Sequence, residues 1–126
     1  MIYQLLAVGT GGFIGAIFRS LVLIFFSSRL GFSTLYAILF VNVFGSFLAG
    51  GFIGLPESIQ GNYLKLFVIT GFLGALTTFS AFSLDNMGLL RDGNYKMLLI
   101  NIILNVALTL LFVMAGYVLS KKIFSF

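Results

Sequence analysis

The sequence contains no cysteine and no histidine. Disulfides and thiolate metal sites are therefore excluded, and so is the commonest proton-transfer and metal-binding side chain. Charge is scarce as well: seven Lys or Arg and three Asp or Glu among 126 residues, 8% in all. Soluble domains carry about 25%. So few charges cannot cover a water-facing surface, and 60% of the chain is hydrophobic. The composition describes a small integral membrane protein of one domain. The net charge of +4 is scattered, without the basic cluster that nucleic acid would need. The N-terminal run has neither a basic region nor a small-residue cleavage site, so its first apolar segment is expected to stay as a span.

A transmembrane helix needs about 20 apolar residues. Charges and turn residues divide the chain into four such units, at about residues 2–28, 30–55, 63–90 and 96–120. The links around "SSRLGFS", "LPESIQGN" and "RDGNY" are short, which makes neighbouring helices antiparallel. Both termini then share one side with Lys65, Lys121 and Lys122, while Arg29, Arg91 and Lys96 lie on the other. Positive charge sets membrane orientation, and here the two sides balance. Two readings follow: a weak bias settled by another factor, or a dual-topology protein whose copies insert both ways and pair antiparallel. Small residues four apart suit close helix packing: Gly11 and Gly15, Gly12 and Ala16, Gly45 and Ala49, Gly50 and Gly54.

Polar side chains in hydrocarbon are costly and mark the interior of a bundle or a substrate path. The second span carries Asn42 and Ser46, one turn apart. The fourth carries Asn101, Asn105 and Thr109 at i, i+4 and i+8, on one slowly drifting face. The third carries Thr77, Thr78, Ser80 and Ser83, with Phe79, Phe82 and Asn86 at i, i+3 and i+7. The plainer account is packing, since an interhelical polar contact contributes about 0.6 kcal/mol, and a phenylalanine pair in isolation is ordinary core. Polar faces on three helices favour a path. Asn, Ser and Thr donate hydrogen bonds without carrying charge, and a phenyl ring has a positive edge. Both suit an anion. Arg19, in the last third of its span, fits a vestibule cation, a snorkelling side chain or a cap on carbonyls. No span has an acidic residue at its centre, as a proton-coupled pump would. Ser80 has no nearby His or Lys base, so serine hydrolysis is unsupported.

The third span raises a further expectation. The uncharged run between Lys65 and Asp85 would reach roughly 28 Å as a straight helix, barely a bilayer. Gly74 and the Thr77–Thr78 pair lower helix propensity, so the span is expected to unwind within "GALTTFS". Carbonyls freed there can hold a cation.

Three stretches in order, "GTGGFIGAIFRS", "FVNVFGSFLAG" and "GFLGALTTFSAFS", resemble the Fluc (CrcB) fluoride channels, and the resemblance covers essentially the whole chain. It implies an all-α membrane fold of four helices with a break in the third, assembled as an antiparallel, dual-topology homodimer with two pores. It implies passive export of cytoplasmic fluoride across the bacterial plasma membrane. Asn42, Phe79, Ser80 and Phe82 would then line the fluoride pore. Asn101, Asn105 and Thr109 would form a polar track on the fourth helix, and Arg19 would be the family's first-span arginine. Gly74 and Thr77 would offer backbone carbonyls to a structural sodium ion (Na+) at the dimer interface. Two departures stand out. Ala81 replaces a frequent Thr between Ser80 and Phe82, and Ala37–Ile38 replaces a frequent Gly-Thr. The competing readings are a small dual-topology drug-efflux transporter, which would need an intramembrane carboxylate, and a structural subunit with no pore.

Overall fold

The computed structural model describes residues 1–124. All regular structure among them is helical. Helix α1 runs Ile2–Ser28 and α2 runs Thr34–Ile53. The third span is composite: α3 (Asn62–Lys65), a π-helical segment (Leu66–Leu73), α4 (Gly74–Leu76) and α5 (Phe79–Arg91). Helix α6 runs Tyr95–Phe124. Four units, with the third taken from Asn62 to Arg91, are long and apolar enough to cross a membrane. The chain is a multi-pass membrane protein.

Local sequence signals set the helix ends. The Ser33 side chain accepts from the Leu35 N–H at 3.3 Å and caps α2; α2 therefore starts at Thr34, and residues 29–33 form the connection. Asn94 accepts from the Met97 N–H at 3.2 Å at the start of α6. Such caps satisfy donors that a helix start leaves unpaired. Helix α5 closes on Gly93, whose φ of +71° suits glycine. There Gly93 N–H donates to the Leu90 carbonyl and Asn94 N–H to the Leu89 carbonyl. The reversal into α6 is thus built into three residues, Asp92, Gly93 and Asn94.

Packing relies on backbone approaching backbone. Helix α2 lies chiefly along α6, and α1 lies along the π-helical segment. A Cβ at Gly116 would overlap the Phe47 carbonyl, and one at Gly50 would overlap the Val113 carbonyl. On the other seam, a Cβ at Gly11 would overlap the Phe67 carbonyl and one at Gly15 the Phe72 carbonyl. The hydrocarbon around a membrane protein gives no hydrophobic drive between helices, so close dispersion contact holds them. The small apolar core of Val41, Leu73 and Leu76 lies between α2 and the third span. Large apolar side chains such as Phe13, Leu21, Ile103 and Met114 face outward, while Asn42, Thr78, Asn101 and Asn105 are buried. The polarity is reversed relative to a soluble protein.

The interruption in the third span sits later than Gly74. That glycine has helical angles (φ −63°, ψ −30°) and starts α4. The extended residues are Thr77 (φ −78°, ψ 153°) and Thr78 (φ −151°, ψ 117°). The reason is hydrogen bonding rather than glycine's freedom. Leu73's carbonyl accepts from both the N–H and the hydroxyl of Thr77, at 3.0 and 2.9 Å, which closes the last turn there.

Gly116→Ala is expected to destabilise the protein by about 1–3 kcal/mol, as overpacking does. Gly88→Ala, whose added Cβ meets nothing within 4 Å, should be neutral or gain up to ~1 kcal/mol of helix propensity. Thermal unfolding in detergent measures both, and equal melting temperatures would contradict the packing account.

Candidate functional site

A helix interior offers each N–H a carbonyl four residues back. Thr78 departs from that ladder. Its N–H donates at 2.8 Å to Asn42 Oδ1, across from α2. Asn42 Nδ2 in turn reaches the Thr78 carbonyl at 3.4 Å. The side-chain amide thus pairs with the extended Thr78 peptide much as a neighbouring strand would. Both residues are buried, where an unpaired polar group costs about 1–3 kcal/mol. Thr78 also starts the next helix, its hydroxyl accepting from the Ala81 N–H at 3.2 Å. One residue therefore ends one pattern of backbone bonding and begins another.

From Asn42 the amides continue in a row. Asn42 Nδ2 donates to Asn105 Oδ1 at 3.1 Å. Asn105 Nδ2 donates to Asn101 Oδ1 at 3.0 Å, and to the Asn101 backbone carbonyl at 3.1 Å. Asn101 Nδ2 donates to Asn86 Oδ1 at 2.9 Å. The row joins α2, α6 and α5 without a formal charge. The i, i+4 spacing of Asn101 and Asn105 puts them on one face of α6, and that face meets α2. Thr109, the next residue in the series, donates its hydroxyl to the Asn105 carbonyl at 2.6 Å.

Beside this row lies a cavity of about 270 Å³, lined by Asn42, Ser46, Thr77, Thr78, Phe79, Phe82, Asn105, Val106 and Thr109. The two phenylalanine rings are 5.4 Å apart at 45°. Phe82 is buried, with 8% of its surface exposed, and Phe79 is exposed at 80%. The cavity accordingly combines uncharged amide and hydroxyl groups with aromatic rings in its wall. No group of three or more His, Cys, Asp or Glu capable of holding a transition metal occurs among the described residues.

The structure brings together Asn42, Phe79, Phe82, Asn105 and Thr109 around the cavity and ties Asn101 to them. It does not bring Ser80 or Arg19 to the cavity wall. The Ser80 side chain is 3.1 Å from the Thr78 hydroxyl and the residue faces outward. Arg19 is half-buried on α1, the helix that packs mainly on the π-helical segment and α4. Gly74 is exposed and Thr77 half-buried. Two participants were missing from the sequence-based set. Thr78 was one of several hydroxyl residues there, and only its β-like backbone makes it the link to Asn42. Asn86 was visible as the third member of the Phe79, Phe82, Asn86 series, but its bond to Asn101 depends on how α5 folds back on α6.

Ala37 and Ile38, which depart from the resembled motif, are fully buried or nearly so. They serve core packing one turn before Asn42. Asp85 lies off the row. Its Oδ1 accepts from the Thr34 hydroxyl at 3.1 Å, at the first turn of α2.

Comparison with known proteins agrees in extent. The family model described as "CrcB-like protein, Camphor Resistance (CrcB)" matches residues 6–117. A protein of Campylobacter jejuni named fluoride-specific ion channel FluC is 47% identical over 126 residues, covering 96% of this chain and all of its own length. A Campylobacter lari protein of the same name is 46% identical over 123 residues, with the same coverage. One from Clostridium perfringens is 39% identical over 121 residues, covering 94% of each chain.

Replacing Asn42 by Leu strands the Thr78 N–H and the Asn105 side-chain oxygen Oδ1 in a buried setting. The expected loss is about 1–3 kcal/mol of stability, against about 0.5 kcal/mol or less for an exposed surface change such as Ser83→Ala. Denaturant titration of the two variants checks this; matching midpoints would mean that Asn42 carries no structural load.

Proposed function

The chain belongs to the CrcB family, and from that premise we propose that it is a passive, fluoride-selective channel that lets cytoplasmic fluoride out across the bacterial plasma membrane. The family is one of ion channels and not of enzymes. The single observation that carries the fluoride reading here is the uncharged donor row beside the Phe79–Phe82 pair in one intramembrane cavity.

Fluoride is small and holds its water strongly. A path for it must replace that water with closely placed donors. It must also bind weakly enough to let the ion go. Asn42, Asn105 and Thr109 line the path with uncharged N–H and O–H groups that already serve neighbouring oxygens, so the ion would be taken up in exchange for those bonds and meets no formal charge that would trap it. Ring edges of Phe79 and Phe82 supply weak positive potential in a space that excludes bulk water. Ser80 adds a hydroxyl at the outer side of the same turn. Arg19 on α1 stands apart from the cavity and serves as a vestibule cation that raises the local anion concentration.

The functional unit is an antiparallel homodimer with two pores. Three features support this. Positive charge is balanced between the two sides of the membrane, which permits both orientations. The cavity's aromatic wall ends on Phe79, which a single chain leaves 80% exposed and a second copy would cover. Gly74, at the edge of the interruption, is exposed as well.

Gly74 and Thr77 are suited to hold a sodium ion between the two copies. In an unbroken helix the Gly74 carbonyl would receive the Thr78 N–H and the Thr77 carbonyl the Ala81 N–H. Here those donors go instead to Asn42 Oδ1 and the Thr78 hydroxyl. Backbone oxygens released in this way are hard ligands appropriate to an alkali cation. The ion, when bound, would supply positive charge near the anion path and fix the two interruptions against each other.

A proton-coupled drug transporter is disfavoured. Asp85, in the last part of the third span, accepts through Oδ1 from the first turn of α2 and does not stand in mid-span.

Purified protein in liposomes should release fluoride passively, with no proton gradient and with chloride retained. Fluoride loss no faster than from protein-free liposomes would remove the channel reading. Phe79→Ile and Phe82→Ile should each slow fluoride efflux about tenfold or more, equivalent to ~1.4 kcal/mol, with the assembly unchanged on size exclusion. Unaltered efflux in both variants would remove the rings from the path.

A further inference from the structure

The direction of every amide in the row follows from one atom. A backbone N–H can only donate. The Asn42 atom at 2.8 Å from the Thr78 nitrogen must therefore be its oxygen. That turns Asn42 Nδ2 toward Asn105, so the Asn105 atom facing it is the carbonyl oxygen. By the same logic Asn105 presents its nitrogen to Asn101, and Asn101 presents its nitrogen to Asn86. The oxygen of each amide is consumed by the amide before it. At the far end Asn86 accepts through Oδ1 and is left with an N–H pair that no group among the described residues accepts.

Aligned amides polarise one another. Their dipoles add as the peptide dipoles of a helix do, leaving positive character at the end that offers free N–H groups. That end is Asn86. It is also where the row becomes accessible: Asn42, Asn101 and Asn105 are buried, whereas Asn86 is half-buried. It lies two turns along α5 from Phe79, roughly 10 Å nearer the α5–α6 turn at 1.5 Å per residue. Asp85, the preceding residue, projects about 100° away on the helix and is held toward Thr34 of α2, whereas Asn86 meets α6.

We propose that Asn86 is a further residue of the anion path, the donor that fluoride meets at the α5–α6 end of the row. The proposal rests on the fluoride-channel reading and extends it to a residue outside the cavity wall. Asn86 acts in two ways through one amide. Its oxygen holds Asn101 in the direction dictated from Thr78, and its N–H pair faces the incoming ion.

A purely structural Asn86 would only tie α5 to α6 through the Asn101 bond. Asn86→Asp separates the two roles, because a carboxylate accepts from Asn101 Nδ2 as the amide oxygen does but replaces the N–H pair by a negatively charged oxygen. Asn86→Gln keeps both ends of the amide. Fluoride efflux from liposomes, read with a fluoride electrode, should fall about tenfold or more in Asn86→Asp, since a hydrogen bond to a charged group is lost. It should remain within about threefold of wild type in Asn86→Gln, the same comparison setting the scale. Efflux from Asn86→Asp within about twofold of wild type would overturn the proposal, being far below the loss of such a bond. So would an equal fall in Asp and Gln, which would assign the residue to packing. Should Asn86→Asp fail to reconstitute, Asn86→Glu, whose carboxylate likewise accepts from Asn101 Nδ2 and lacks the N–H pair, is read in its place by the same limits. Absence of fluoride efflux from the wild-type protein would instead sink the channel reading on which the proposal stands.

Discussion

The hydrogen bond from the Thr78 N–H to Asn42 Oδ1 is the interaction on which the rest of the site depends. Inside a bilayer a backbone donor has no water to fall back on, so it must find a partner within the protein. A continuous helix would give Thr78 the Gly74 carbonyl. Here a side-chain amide from α2 takes that place, and three consequences follow from the substitution. The third span can leave helical geometry at Thr77 and Thr78. The Gly74 carbonyl loses its usual donor. The orientation of Asn42 becomes fixed, and with it that of each amide beyond.

The glycine seams make this exchange possible. Helices α2 and α6 must approach closely for Asn42 to reach Asn105 at 3.1 Å, and Gly50 and Gly116 allow that approach by lacking side chains where carbonyls lie. On the opposite side Gly11 and Gly15 seat the π-helical segment against α1. A π-helix is wider and less common than an α-helix and often accompanies functional sites. Here it delivers the chain into the short α4 and then into the interruption. Packing and the amide row are therefore coupled: a seam that opened would draw the amides apart.

Much of the fold was legible in the sequence because it follows from composition. The shortage of charge and four apolar runs define a four-span membrane protein. The recurrence of Asn101, Asn105 and Thr109 marks one face of α6 without any structure. Other features had no local signal. Gly74 and the Thr77–Thr78 pair both stood out as weak points of the third span, yet Gly74 is helical; the interruption falls at the two threonines, where Asn42, distant in sequence, competes for a backbone donor. The π-helical segment Leu66–Leu73 reads as an ordinary apolar run. Arg19 was grouped with the polar residues by type, but α1 is placed away from the cavity. Asn86 shared a helical face with Phe79 and Phe82, while its tie to Asn101 is set by the tight Gly93 reversal. Residue type and periodicity thus announced which side chains have to be buried together, and interhelical geometry decided which of them meet.

The central claim is that Asn42 has displaced the helix carbonyl as the acceptor of the Thr78 N–H. Scalar coupling across the hydrogen bond measures this directly in protein labelled with 15N and 13C. The account predicts a coupling between the Thr78 backbone nitrogen and the side-chain carbonyl carbon of Asn42. A coupling from Thr78 to the Gly74 carbonyl carbon in its place would contradict it, restoring a continuous helix and removing the origin of the ordered amide row.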